Sequence, residues 1–199
     1  MTELQTPYNS TPPGNVVAFS GTHGTGKTTA VLDLARKLKI WNISSGNIGI
    51  IQETSRLCPI PVLSSHCNKP TEAAQMWIFS RQLQAEIESA QMYGMVVSDR
   101  TLVDCVAYTL FFGYYELAEA MEAFVSARKP YRAIFFRSIL DNPYCKQDGF
   151  RHINQEDRSK IERIMINLYR QLNIDIYRDI PDGDWDTKLS IIAKVNETP

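Results

Sequence analysis

One stretch, "SGTHGTGKTT" at Ser20–Thr29, restricts the fold of this chain more than any other. Gly21 and Gly26 bracket four residues, and Lys27 and Thr28 follow, which completes the Gly-x-x-x-x-Gly-Lys-Thr pattern. Glycines lack the Cβ that would block a tight curl, so backbone N–H groups can converge on phosphate oxygens. The preceding "VVAF" is short, continuous and β-branched, which predicts a buried strand. After Lys27, the apolar residues Ala30, Val31, Leu34, Ala35 and Leu38 recur at helical spacing. The loop therefore joins a strand to a helix whose first turn offers free N–H groups and a dipole end of about +0.5 charge. Lys27 is suited to the β- and γ-phosphates of ATP, and the Thr28 hydroxyl to Mg²⁺. The expected nucleotide contacts are Gly21, Thr22, His23, Gly24, Thr25, Gly26, Lys27, Thr28 and Thr29. His23, at a variable position of the loop, can point toward an acceptor.

The remainder of the chain repeats the strand–helix alternation. "IGIIQE", "GMVVSD" and "YRAIFF" read as buried strands, and "IDIYRDI" as a fifth. Helical spacing covers roughly 71–92, a stretch from Leu102 with a break at Gly113, 154–173, and Asp186 to Val195. Strands alternating with helices predict an α/β fold built on a parallel sheet. A chain of 199 residues accommodates one domain, taken as residues 15–199, behind a polar leader at 1–14.

Composition excludes several classes. Hydrophobic residues at 44% and charged residues at 22% are ordinary for a globular chain. A net charge of −1 gives no overall attraction to nucleic acid or membrane. Cys58, Cys67, Cys105 and Cys145 form no C-x-x-C pair, so neither a disulfide framework nor a zinc site is expected. No apolar run reaches the roughly 20 residues of a membrane helix, and the start carries no signal-peptide pattern. These features together predict a cytoplasmic protein without a membrane partner.

Three further segments carry chemistry. "VVSDR" sets Asp99 at the carboxyl end of a buried strand, where ligands bind in open α/β sheets. A carboxylate there can hold a Mg²⁺-bound water or take a proton from an attacking hydroxyl, and Arg100 can meet a phosphate. "IIQETSR" repeats the arrangement with Glu53 and Arg56, expected at the acceptor. Arg81 and Gln82, within the helix before "GMVVSD", are further candidates for the acceptor site. The polar run "RSILDNPYCKQDGFRHI" predicts a lid over about 138–153. The aromatics Trp77, Phe111, Phe112, Tyr114 and Tyr115 read as core before they read as a base-stacking platform.

In this order the motifs resemble P-loop nucleoside and nucleotide kinases. The chain looks closest to the predicted ATPase/kinase family that includes the ribosylnicotinamide-kinase domain of a bacterial NAD-regulating protein. The resemblance runs from about Val16 to Leu172 through "SGTHGTGKTT", "QETSR", "RQLQAE", "VVSDRTLVDCVAY" and "DGFR". It implies a three-layer sandwich with a five-stranded sheet of order 2-3-1-4-5. It also implies Asp99 as base or indirect Mg²⁺ ligand, and Arg151 as a lid arginine over the transferred phosphoryl group. The segment 57–70 matches no substrate motif, and wider relatives modify bases in viral DNA. The expectation is an ATP- and Mg²⁺-dependent phosphotransferase, monomeric or homodimeric, acting on a small nucleoside or nucleotide in preference to DNA. The rival from another class is a nucleotide-dependent switch or assembly ATPase.

Overall fold

The structure, a computed structural model, describes residues 14–42, 47–60, 69–128, 131–139, 155–178 and 180–194. Four strands, β1 (Val16–Ser20), β2 (Ile48–Ile51), β3 (Met95–Asp99) and β4 (Tyr131–Phe136), form a sheet of order β2-β3-β1-β4. All three pairings are parallel, with Phe19 opposite both Asp99 and Phe135. Six α-helices complete the frame: α1 (Lys27–Ile40), α2 (Glu72–Met92), α3 (Leu102–Phe111), α4 (Tyr115–Ala127), α5 (Gln155–Gln171) and α6 (Trp185–Lys194).

Alternation along the strands makes the three layers. Val17 and Phe19 of β1 pack with Ala133 and Phe135 against Val31, Leu34 and Leu38 of α1 and Ile192 of α6. Ala18, Ile134 and Phe136 face the other way, into Val103, Val106, Ile161, Met165 and Leu168 of α3 and α5. Leu34 and Leu38 are fully buried, each burial worth about 1.5–3 kcal/mol. Helix α3 buries seven of its ten residues, so it runs through the core rather than over it. Its Thr101 cap accepts the Asp104 amide at 3.2 Å, and Thr71 caps α2 in the same way at 3.2 Å.

The expected fifth strand is absent among the described residues. From "IDIYRDI" only Tyr177 pairs with β4, accepting from the Phe136 amide and donating to the Ile134 carbonyl, both at 2.8 Å. The order is therefore 2-3-1-4 rather than 2-3-1-4-5. Ile174 and Ile176 pack on the α3/α5 side while Tyr177 and Ile180 pack on the α1 side. The apolar alternation is thus satisfied by packing. The segment is bounded by Asn173, which turns at φ 51°, and by Pro181, which has no N–H to donate, and Arg178 lies over the Phe136 ring. Among the described residues no helix is long and apolar enough to cross a membrane.

Candidate functional site

The glycine loop closes at the carboxyl ends of β1, β3 and β4. Gly21 sits at φ 133°, and a Cβ there would lie 2.4 Å from the Arg137 carbonyl oxygen, so no other residue fits. Gly24 and Gly26 also take positive φ, 72° and 74°, and Gly26 turns the chain into α1. Lys27 Nζ folds back to donate to the Thr22 carbonyl at 2.6 Å and to Thr25 Oγ1 at 3.5 Å. Burial, reinforced by the charge of Arg100, pulls its ammonium down to about 7.

Thr28, next on α1, donates its hydroxyl to Asp99 Oδ2 at 2.5 Å. Asp99 Oδ1 and Thr22 Oγ1 are buried without a hydrogen-bond partner among the described residues. An orphaned carboxylate oxygen is costly unless a cation or its water meets it. Asp99, with Thr28 beside it, would suit Mg²⁺ at the glycine loop, the two serving as its holding groups. Among the described residues no group of three or more His, Cys, Asp and Glu could hold a metal on its own. Phosphate oxygens and water would complete such a shell.

Beside this pair stands a charged cluster from β2 and β3. A 3₁₀ turn at Thr54–Leu57 follows Glu53. Glu53 Oε1 accepts from Arg100 Nη2 at 2.8 Å and Nε at 3.1 Å, and from the Ser55 hydroxyl at 2.8 Å. Its Oε2 accepts from Arg56 Nε at 3.0 Å. The Arg100 side chain is 5% exposed and that of Arg56 53%, so one guanidinium is fixed and the other reaches solvent. Burial, the largest single influence, would lower the Arg100 pKa, but Glu53 together with Tyr108, Asp104 and Asp99 outweighs it and holds the guanidinium charged. The Arg100 guanidinium also lies 5.1 Å from the Tyr108 ring centroid. The Tyr108 hydroxyl meets the His23 amide at 3.2 Å and Nδ1 at 3.3 Å, which ties α3 to the glycine loop.

The two candidates on α2 part company. Arg81 is exposed and bonds Gln84 at 3.1 Å. Gln82 has no exposed surface, and its partners among the described residues, Thr54, Glu86, Ser98 and Arg100, are all buried. Arg151 and residues 140–153 of the expected lid lie outside the described residues. Of that expected segment, Ser138 and Ile139 are described, and both are held by the Glu162 carboxylate of α5 at 2.8 Å.

Several site residues escaped the sequence reading. Arg137, just past β4, donates Nε to the Thr25 carbonyl at 2.5 Å and pairs with Asp182, clamping the loop from behind. The strand-end rule that selects Asp99 selects Arg137 equally. Asp104 carries no such signal; it is buried beneath the loop, accepts from the Ser20 and Thr101 hydroxyls, and is pushed up by burial. Tyr169 of α5 joins this group, donating to Ser20 Oγ at 2.8 Å. Arg158, 4% exposed on α5, leaves Nε and Nη2 without partners among the described residues, but no described contact joins it to the loop.

Behind the cluster, Glu86 of α2 accepts from Gln82 Nε2 at 2.9 Å and from the Tyr131 hydroxyl at 2.9 Å. Burial raises its carboxyl from 4.5 to about 7. The folded chain therefore holds a proton that the unfolded chain has released, and stability declines as pH rises from about 4.5 to about 7. Up to roughly 3 kcal/mol is at stake. Glu86→Gln, which mimics the protonated acid, should lose less stability than the parent between about pH 4.5 and about pH 7 in urea unfolding. Parallel pH profiles for the two proteins would place the Glu86 titration elsewhere.

Comparison with known proteins agrees with this architecture. A family model described as an AAA domain matches residues 16–188. Thymidylate kinase from Candida albicans superposes with a TM-score of 0.64 at 16% identity, over 93% of each chain. Deoxyadenosine kinase from M. mycoides with bound dCTP gives 0.63 at 14% identity, over 92% of this chain and 100% of the other. The NadR protein in complex with NR gives 0.67 at 18% identity, over 94% of this chain and 52% of the other. No curated protein matches the chain by sequence. The fold is shared with these thymidylate and deoxyadenosine kinases and with the NadR protein.

Proposed function

We propose that this chain, which belongs to the AAA-domain family, is an ATP- and Mg²⁺-dependent kinase of a small nucleoside- or nucleotide-like acceptor. The observation that carries the reading is the pairing of two distinct sites at one sheet edge. Lys27, Thr28 and Asp99 form a nucleotide side, and Glu53, Arg56 and Arg100 form a charged side that hydrolysis of ATP alone would not require. Phosphoryl transfer needs positioning and charge compensation more than covalent help. Lys27 supplies a cation at the β- and γ-phosphates, and the loop amides supply donors. Mg²⁺, held by Thr28 and by Asp99 directly or through water, would neutralise phosphate charge.

The division of carboxylates follows from their partners. Asp99 commits Oδ2 to Thr28 and faces the metal side, so it serves charge and orientation first. Glu53 lies off that side, is anchored by Arg100, and can accept a hydrogen bond from an acceptor hydroxyl. The exposed Arg56 suits a phosphate already on the acceptor. The family of structural neighbours supports a small acceptor, and cytoplasmic residence belongs to the same reading.

The test is ADP release measured with and without thymidine, deoxyadenosine, their monophosphates, nicotinamide riboside and duplex DNA. Turnover that depends on a small acceptor is expected. Equal turnover without any acceptor would favour the switch ATPase. Product formed only on DNA, with steep salt dependence, would transfer the reading to a polymer. With the acceptor found, Glu53→Gln should raise its KM or lower kcat about tenfold or more while ATP binding stays put. Unchanged acceptor kinetics would remove Glu53 from the site.

A further inference from the structure

Arg100 takes φ 92°, inside the left-handed region that a bulky side chain rarely adopts. A residue held this way persists only where surrounding contacts over-determine its backbone. Here the contacts are specific. The Arg100 amide donates to the Phe19 carbonyl at 3.0 Å, continuing the β1–β3 pairing one residue past the strand. Its carbonyl oxygen accepts from the Ser98 hydroxyl at 2.8 Å and from Gln82 Nε2 at 3.4 Å. Gln82 Nε2 also reaches Ser98 Oγ at 3.1 Å and Glu86 Oε1 at 2.9 Å. On the other side of the same amide, Gln82 Oε1 accepts from the Thr54 hydroxyl at 3.3 Å, and Thr54 directly follows Glu53.

We propose that Gln82 and Ser98 are positioning residues, which hold the Arg100 peptide and the Glu53–Thr54 turn in register so that guanidinium and carboxylate meet. Gln82 is fully buried, so it acts through these two residues and not on an acceptor directly. The orientation of its amide follows from its partners. Reversed, Oε1 would face the Arg100 carbonyl, which can only accept, and the Arg100 peptide would lose a donor. The turn at Arg100 has a purpose in this arrangement. An extended residue there would continue the line of β3 and carry the guanidinium away from Glu53. The inference rests on the kinase reading only for what the Arg100–Glu53 pair serves; the clamp itself is a structural statement.

The experiment follows Arg100 without needing an acceptor. In protein labelled with ¹⁵N-arginine, the Arg100 Nε–H donates to Glu53 and is buried, so its exchange with solvent should be slow. Arg100→Lys identifies the signal. Gln82→Met and Ser98→Ala should each speed that exchange more than threefold while binding of a fluorescent ATP analogue changes less than threefold. Exchange within threefold of the parent in a folded variant overturns the clamp. Should Gln82→Met fail to fold, Ser98→Ala, which removes a single hydroxyl, decides alone. The kinetic arm uses the acceptor that the parent turns over, and both variants should lower kcat or raise acceptor KM at least fivefold with ATP KM unmoved. If the parent turns over none, the kinase reading fails and the exchange arm still decides the clamp.

Discussion

Lys27→Ala should abolish phosphoryl transfer, with kcat/KM for ATP down about a thousandfold or more, roughly 4 kcal/mol of transition-state stabilisation. The cause is electrostatic. In the proposed reaction charge spreads onto oxygens as the γ-phosphoryl leaves, and among the described residues Lys27 and the loop amides would meet it from the donor side. The same substitution should leave the fold intact. In the free chain the ammonium rests on the Thr22 carbonyl and Thr25 hydroxyl and is pulled down to about 7, so its removal relieves a desolvation cost. An unchanged thermal transition together with lost turnover is the expected pair of results. Near-normal turnover by Lys27→Ala would end the kinase reading.

Asp99→Asn should lower kcat by roughly a hundredfold while ATP affinity changes little. The amide oxygen can still accept from Thr28, so the geometry of the strand end survives. The other position changes character: an orphaned anionic oxygen becomes an N–H₂ donor, which repels a cation and cannot accept from its water. A magnesium titration of turnover should therefore move to higher concentration in the variant. Parallel losses of ATP binding and rate would mark Asp99 as a structural residue instead.

Much of the fold was legible because its signals are local. The glycine loop was readable because the pattern concerns backbone curvature, and Gly21 has no room for a Cβ. All four strands are short apolar runs, buried on both faces in β1 and β3 and open at Ile50 in β2, and the break at Gly113 separates α3 from α4 as the spacing required. The fifth strand was misread because alternating apolar residues satisfy packing on two faces as well as they satisfy a ladder. Only the single bridge of Tyr177 shows which of the two prevailed.

The site divides along the same line. The glycine loop, the Lys27–Thr28 pair and the placing of Asp99 and Glu53 at strand ends can be read from the chain alone, since each follows from local spacing. Tertiary structure decided the partners. It joined Arg100 to Glu53 across 47 positions, brought Arg137 behind the loop across 112, and withdrew Gln82 from solvent while leaving Arg81 exposed. Adjacent residues on a helix point to different sides, and which side meets the sheet depends on packing against strands far away in sequence. The left-handed turn at Arg100 has no local signature either, because glycine or asparagine would be the expected residue there. Its backbone is dictated by the contacts of Phe19, Ser98 and Gln82, and these exist only once three separate segments have packed together.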